Sequence, residues 1–250
     1  MKTRVYSDAV RVVLEEIVLD GHMAYLPTTL ERTLYLDVMK VLGGIGGKWD
    51  KKLQAHVFPH DPSPYLDEIL ATGHGRNLKQ ELQAFYTPRP LADRLVDTYM
   101  RILPGDSVLE PSAGHGALAL AAAVYTDRRN IPCYDIDPQA CIVLEGLGFP
   151  VACIDFLSVS PRPVFDWVVM NPPFHNGQDM AHILHALQFL TPGGRLVAIA
   201  SSMAGQRSTK KDQAFAATMA HFNAQRIPLP EGSFKASGTN VSAVVYVMKP

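Results

Sequence analysis

Asp166-Trp-Val-Val-Met-Asn-Pro-Pro-Phe174 is the stretch on which the reading of this chain turns. An apolar run with strand character, residues 164–170, stops at Asn171 and two prolines. Proline has no N–H to give a ladder and its ring fixes φ, so the strand ends in a rigid corner. In a parallel α/β sheet such a corner lies at the carboxyl edge of the strands, where ligands bind. Asn171 brings an amide oxygen, Pro172 a backbone carbonyl and Phe174 a flat ring. Two acceptors beside a stacking surface suit a planar group with an exocyclic NH2. Asn-Pro-Pro is also an ordinary loop opener, so the flanks have to decide.

Upstream, Phe85-Tyr-Thr-Pro-Arg-Pro90 precedes an amphipathic helix with Leu91, Leu95, Val96 and Met100 on one side. Thr87 is placed to cap it, with Pro88 in the first turn. A helix start with a hydroxyl beside it can equally hold a carboxylate. Asp106-Ser-Val-Leu-Glu-Pro-Ser-Ala-Gly-His-Gly116 reads as a short strand, a turn and a glycine loop opening an alanine-rich helix over residues 117–124. Gly114 and Gly116 let backbone approach a ligand closely. Leu118 and Ala119 follow Gly116, which departs from Gly-x-Gly-x-x-Gly and argues against NAD. A second strand, residues 131–136, ends in Asp135 and Ile136, and an acidic residue there can accept from both ribose hydroxyls. Asp137 caps the helix starting at Pro138. A third strand, residues 151–154, ends in Asp155-Phe156. One acid after a strand is usually a cap or a turn, but three such edges beside a glycine loop are harder to obtain by chance.

Downstream, His175-Asn-Gly177 is a turn and residues 180–190 a helix with Ile183, Leu184, Leu187 and Leu190 inward. His182 and His185 have no third ligand nearby and suit solvent or polar contacts rather than a metal. Thr191-Pro-Gly-Gly194 is a tight turn into a strand over residues 195–200. The loop 201–211 carries Arg207, Lys210 and Lys211, the best candidates for phosphate contact, with a solvated helix start as an equal reading. A helix over residues 213–222 follows, then a short strand near Arg226, a glycine-rich loop and a strand over residues 241–248. Phe234, in that loop, could pack on a base opposite Phe174 or plug the domain edge.

Asn171-Pro-Pro-Phe174 resembles the catalytic motif of S-adenosylmethionine-dependent methyltransferases acting on exocyclic or amide nitrogens. Leu109-Glu-Pro-Ser-Ala-Gly-His-Gly116 resembles the cofactor loop of N6-adenine methyltransferases, including those of phages and mobile elements. The likeness covers residues 85–250. It implies an α/β fold, a seven-stranded, mostly parallel Rossmann-like sheet flanked by helices, with the last strand antiparallel. It implies S-adenosyl-L-methionine as cofactor, with Glu110, Pro111, Ala113, Gly114, Gly116 and Asn171 around it. Asp135 and Ile136 would take its ribose side, Asp155 its adenine amino group with Phe156 over the ring, and Thr87 its methionine carboxylate. Catalysis would fall to Asn171, Pro172, Pro173 and Phe174, and base contacts to Phe174, His175 and Phe234.

The resemblance favours N6 of adenine in DNA as the methyl acceptor. Asn-Pro-Pro-Phe-His-Asn-Gly177 also resembles rRNA guanine-N2 methyltransferases, so RNA is an alternative. Protein glutamine methyltransferases share Asn-Pro-Pro but usually carry Tyr where Phe174 stands. A non-catalytic nucleic-acid-binding or regulatory subunit of the same fold is the remaining rival, and the intact Asn171 argues against it. Roughly 80 residues follow the motif, too few for a large target-recognition domain. Sequence choice would then come from loops, a partner subunit or the amino-terminal third.

That third, residues 1–84, is expected to be a small α+β accessory domain, ending near residues 76–84 in a connecting helix with Lys79, Glu81 and Gln83. Residues 5–19 alternate apolar and charged positions with β-branched content, which predicts a strand or two. Pro27-Thr-Thr-Leu-Glu31 is a helix start with Thr28 or Thr29 as N-cap, and the helix ends at Gly43-Gly44. Lys48, Trp49, Lys51 and Lys52 follow. They fit a nucleic-acid contact, cations on phosphate and Trp49 stacking, or a solvated turn with Trp49 packed on the domain.

The bulk numbers permit this organisation. With 250 residues the chain has room for one α/β domain and an appendage. Apolar content of 47% and charged content of 19% describe a soluble globular chain. A net charge of −1 gives no global positive field, so any nucleic-acid surface is local. Cys133, Cys141 and Cys153 show no metal spacing and suit reduced cytoplasmic thiols. No signal peptide or membrane-spanning run is evident.

Overall fold

The computed structural model describes residues 4–27, 29–58, 61–75, 86–237 and 239–248. The expected boundary near 76–84, its connecting helix and Thr28 lie outside the described residues. The chain divides into two units, Met1–Gln83 and Ala84–Pro250.

In the first unit, β1 (Arg4–Val5) is followed by α1 (Asp8–Glu15), β2 (Val18–Asp20), β3 (Met23–Tyr25), α2 (Arg32–Gly44), β4 (Lys48–Asp50), β5 (Ala55–Val57), α3 (Ser63–Thr72) and β6 (His74–Gly75). The strands form an antiparallel sheet in the order β2-β3-β5-β4 and a separate β1-β6 pair. Residues 8–15 are a helix, not a strand. Ser7 caps it by accepting from Val10 N. Val10, Val13 and Leu14 fall at i, i+3, i+4 and bury in one core with Val38, Val41 and Leu42 of α2. Burial of that helical stripe outweighs the β preference of its valines. α2 is capped by Glu31, whose carboxylate accepts from Thr33 N, so neither threonine takes that place. The basic stretch after Gly43-Gly44 is partly a strand, with Trp49 paired opposite His56.

The second unit contains α4 (Arg89–Tyr99), β7 (Val108–Leu109), α5 (Ala117–Ala122), β8 (Cys133–Asp135), α6 (Pro138–Gly146), β9 (Val151–Cys153), β10 (Phe165–Met170), α7 (Gln178–Ala186), β11 (Leu190–Ser201), α8 (Lys210–His221), β12 (Gln225–Pro228) and β13 (Ala243–Met248). Its main sheet has five strands in the order β12-β13-β11-β10-β7. β10 runs parallel to β7 and β11, whereas β13 runs antiparallel to β11 and β12.

The expected seven-stranded, mostly parallel sheet is therefore corrected to a five-stranded mixed one. β8 and β9 form their own parallel pair. They meet β7's end only through the bridge of Glu110 with Cys133, because β7 is two residues long and the chain then turns into the glycine loop.

β10 is apolar throughout its carboxyl half because both faces are covered. Trp167 and Val169 belong to one core cluster, Val168 and Met170 to the other. The expected turn at residues 191–194 lies inside β11. The register jumps from Phe165 opposite Leu190 to Trp167 opposite Arg195, and Gly193 absorbs a φ of 84°. Among the described residues no helix is long and apolar enough to cross a membrane.

Candidate active site

The corner after β10 is fastened to the entrance of α4. Asn171 Nδ2 donates to Thr87 Oγ1 at 3.0 Å, across 84 residues of sequence. Thr87 does not cap α4: Pro88 holds the N-cap position and no side chain bonds there. The Thr87 hydroxyl is turned to the corner instead, and its own hydrogen remains to donate. Pro172 is buried, Asn171 and Pro173 are half-buried, and Phe174 packs against the first core cluster. His175 is exposed in the turn His175–Gly177.

The glycine loop approaches the same edge. Gly114 and Gly116 have φ of +51° and +76°, the left-handed region that side chains resist. A Cβ at Gly114 would meet Tyr86 Cδ1 at 2.8 Å, and one at Gly116 would meet Leu144 Cδ2 at 2.8 Å. Gly114 N donates to Asp135 Oδ2 at 2.7 Å, and Asp137 N to Asp135 Oδ1 at 2.9 Å. Burial raises the Asp135 carboxyl's pKa, against the pull of these backbone donors. Asp137 caps α6 by accepting from Gln139 N at 3.0 Å.

Tyr86 stacks on His115 with ring centroids 4.1 Å apart and planes 11° from parallel. Burial first, then the Asp137 and Asp135 carboxylates, push its phenol far up. Pro111 and Ala113 are buried in the turn, and Ile136 is exposed at the end of β8. Glu110 is 1% exposed. Burial holds its carboxyl well above the usual range, Asp135 adds to this, and a bond with the Ala119 backbone opposes it. Its Oε2 has no hydrogen-bond partner among the described residues.

At the third strand end, Asp155 Oδ1 accepts from Leu157 N at 2.9 Å. Phe156 departs from expectation. It is 2% exposed, with Tyr134, His182, His185 and Phe189 around its ring. A phenyl ring that can bury against four rings gains more there than at an open edge, so it does not present a face to a ligand. Ile154 and Leu157 beside it are exposed. His182 Nδ1 lies 3.2 Å from Ser112 Oγ, and His185 Nε2 lies 3.0 Å from Val159 O. Among the described residues no three His, Cys, Asp or Glu side chains form a metal-type cluster.

Phe234 is fully buried in the first core cluster and plugs the unit, so the expected base contact at this ring is corrected. Arg207, Lys210 and Lys211 are exposed after β11. Two buried carboxylates shape that loop. Asp179 accepts from Ser201 N at 2.9 Å, and Asp212 from Gly205 N at 3.0 Å and from the Thr209 hydroxyl. In the first unit, Lys48 and Trp49 are exposed on β4, an edge strand. Sequence reasoning gave Tyr86 and Ser112 no role, and gave His182 a solvent or polar contact without naming Ser112 as its partner. Only the place of Tyr86 beside Thr87 and of Ser112 inside the glycine loop could have marked them.

The methyltransferase small domain family matches residues 92–227. Among curated proteins, the release factor glutamine methyltransferase of Bordetella pertussis is 31% identical over 159 residues, 58% of this chain and 57% of the relative's length. The chain thus spans little more than half of that relative. Among solved structures, a chain of a type I restriction–modification system aligns with a TM-score of 0.54 and 20% identity, covering 87% of this chain and 46% of that one. A dimethyladenosine transferase from Plasmodium falciparum aligns at 0.51 and 15% identity, covering 66% and 62%. At these identities the structural likeness is one of fold.

Proposed function

The chain belongs to the methyltransferase small domain family, and from that premise we propose that it methylates an exocyclic amino nitrogen of a nucleobase, N6 of adenine in DNA first. S-adenosylmethionine is the cofactor, and the residues fit it. Glu110 Oε2 is buried next to the glycine loop with no hydrogen-bond partner among the described residues, an opening for a polar group of the ligand. Gly114 and Gly116 take a left-handed backbone against Tyr86 and Leu144 that a side chain would break, which keeps the loop in its tight turn. Asp135 is committed to two backbone donors yet keeps lone pairs for ribose hydroxyls. Thr87 retains a hydroxyl hydrogen for a carboxylate, and the exposed Ile136 offers an apolar surface. Asp155 sits at the neighbouring strand end for the adenine amino group.

The observation that carries the reading is the bond from Asn171 Nδ2 to Thr87 Oγ1. It orients the amide so that Oδ1 is its acceptor end and fixes the corner to the carboxylate-binding hydroxyl. Bound cofactor supplies a methyl group made electrophilic by its sulfonium. The chain's part is to prepare the amine, a poor nucleophile because its lone pair is delocalised into the ring. Asn171 Oδ1 and the Pro172 carbonyl accept the two N–H hydrogens and localise that pair on nitrogen. Pro172 and Pro173 hold the corner rigid, and Phe174 offers a ring for the base to stack on. The nitrogen sheds its proton after transfer, so no strong base is needed and positioning supplies most of the effect. His175, Arg207, Lys210 and Lys211 suit the flanking nucleic acid.

A second reading has its own support: the glutamine methyltransferase relative and a glutamine amide that is also a planar NH2. Incubation with labelled cofactor and DNA, rRNA or release factor, followed by mass spectrometry, separates them. N6-methyladenosine in DNA is expected. Label only in RNA or in protein would transfer the reading to that acceptor, and no label anywhere would leave a non-catalytic subunit. Asn171→Ala is expected to keep cofactor affinity while losing about 100-fold in turnover, the scale seen when one preorganised polar group is removed.

A further inference from the structure

Two polar side chains are buried on α7 among Met180, Ile183 and Ala186: Asp179, which accepts from Ser201 N and Met180 N, and His182, 8% exposed. A buried imidazole costs free energy that a leucine would not unless its nitrogens are bonded. Its Nδ1 lies 3.2 Å from Ser112 Oγ, inside the glycine loop. Its ring centre lies 6.1 Å from that of Phe156, the residue after Asp155. Burial depresses the imidazole pKa, with His185 adding to this and Asp155 opposing it. The ring is therefore neutral near pH 7 and can accept the serine hydroxyl at Nδ1.

We propose that His182 is a positioning residue for the cofactor: it clamps Ser112, and with it the turn bearing Gly114, to the helix that leaves the Asn171 corner. Loop and corner then keep one spacing whether or not a ligand is bound. The inference rests on the reading that this loop holds S-adenosylmethionine.

Titration calorimetry of the full chain with S-adenosylhomocysteine tests it, with thermal midpoints measured alongside. His182→Phe keeps a buried ring and removes the acceptor, Ser112→Ala removes the hydroxyl, and His182→Asn restores a polar group near the Nδ1 position. Phe and Ala are each expected to weaken binding about five- to tenfold, the double variant no further than either single, and Asn to recover to within about twofold. Independent, additive losses would overturn the clamp. So would an Asn variant as weak as Phe, or midpoints that fall while affinity stays unchanged. Should His182→Phe fail to fold, Ser112→Ala at its half-buried loop position still decides, unchanged affinity there sinking the clamp. Wild-type protein that binds no S-adenosylhomocysteine would instead sink the cofactor-loop reading on which the clamp stands.

Discussion

Glu110 shows what a single side chain can cost. Its carboxyl is buried beside Asp135 and titrates well above its ordinary value of 4.5. In the unfolded chain the same group ionises as pH rises through 4.5, while the folded protein still holds its proton. Stability is therefore lost as pH climbs from 4.5 towards the folded value and is intact below it. Glu110→Gln carries no charge at any pH. At pH 7.5 it is expected to melt at least about 2 °C above wild type, with the gap closing near pH 4.5, as a pH series of thermal scans reads. A gap of constant size would mean that desolvated charge is not its cause. The residues of this site are individually visible as motifs: the corner, the glycine pair and the acids after each strand. Their partners are not visible. Thr87 with Asn171 and Ser112 with His182 are 84 and 70 residues apart, and only the fold brings them together.

Elements were readable where local and tertiary preferences agree. β10 is apolar on both faces and is stopped by proline, so its end is marked twice. α1 is the opposite case. Val10, Val12 and Val13 favour strands, yet the cap at Ser7 and the stripe buried against α2 make a helix. The interval between β12 and β13 was open to two readings, since an aromatic in a glycine-rich loop can serve a ligand or a core. Phe234 takes the core, at 0% exposure. Phe234→Ala is therefore expected to cost about 3–5 kcal/mol of stability. Below its lowered melting point, the variant should keep an unchanged KM for the methyl acceptor. A raised KM with an unshifted denaturation midpoint would return Phe234 to the base-binding surface.

At the scale of the whole molecule, a net charge of −1 makes any attraction to nucleic acid a matter of where the cations sit. One group, Arg207, Lys210 and Lys211, follows β11 in the second unit. Another is built on the β4–β5 hairpin of the first. Asp50 accepts from Lys52 N at 2.7 Å and from Leu53 N at 3.1 Å, which holds the turn while Lys51 and Lys52 stay exposed. Trp49 leans on His56 at 5.1 Å and keeps 46% of its surface open. A pre-formed turn with cations and a half-open indole can hold a backbone and stack one base. If it does, Trp49→Ala removes stacking of about 1–3 kcal/mol, seen as a raised KM for nucleic acid with turnover and cofactor affinity unchanged. Lys48→Ala should flatten the dependence of log affinity on log salt by about one unit, read by anisotropy of a labelled oligonucleotide. Cofactor affinity stays in both cases, so what separates this signature from that expected at Asn171 is a raised KM in place of a fall in turnover. Loss of turnover at Trp49, or no change in either variant, would assign the hairpin to packing and leave target binding to the loop after β11.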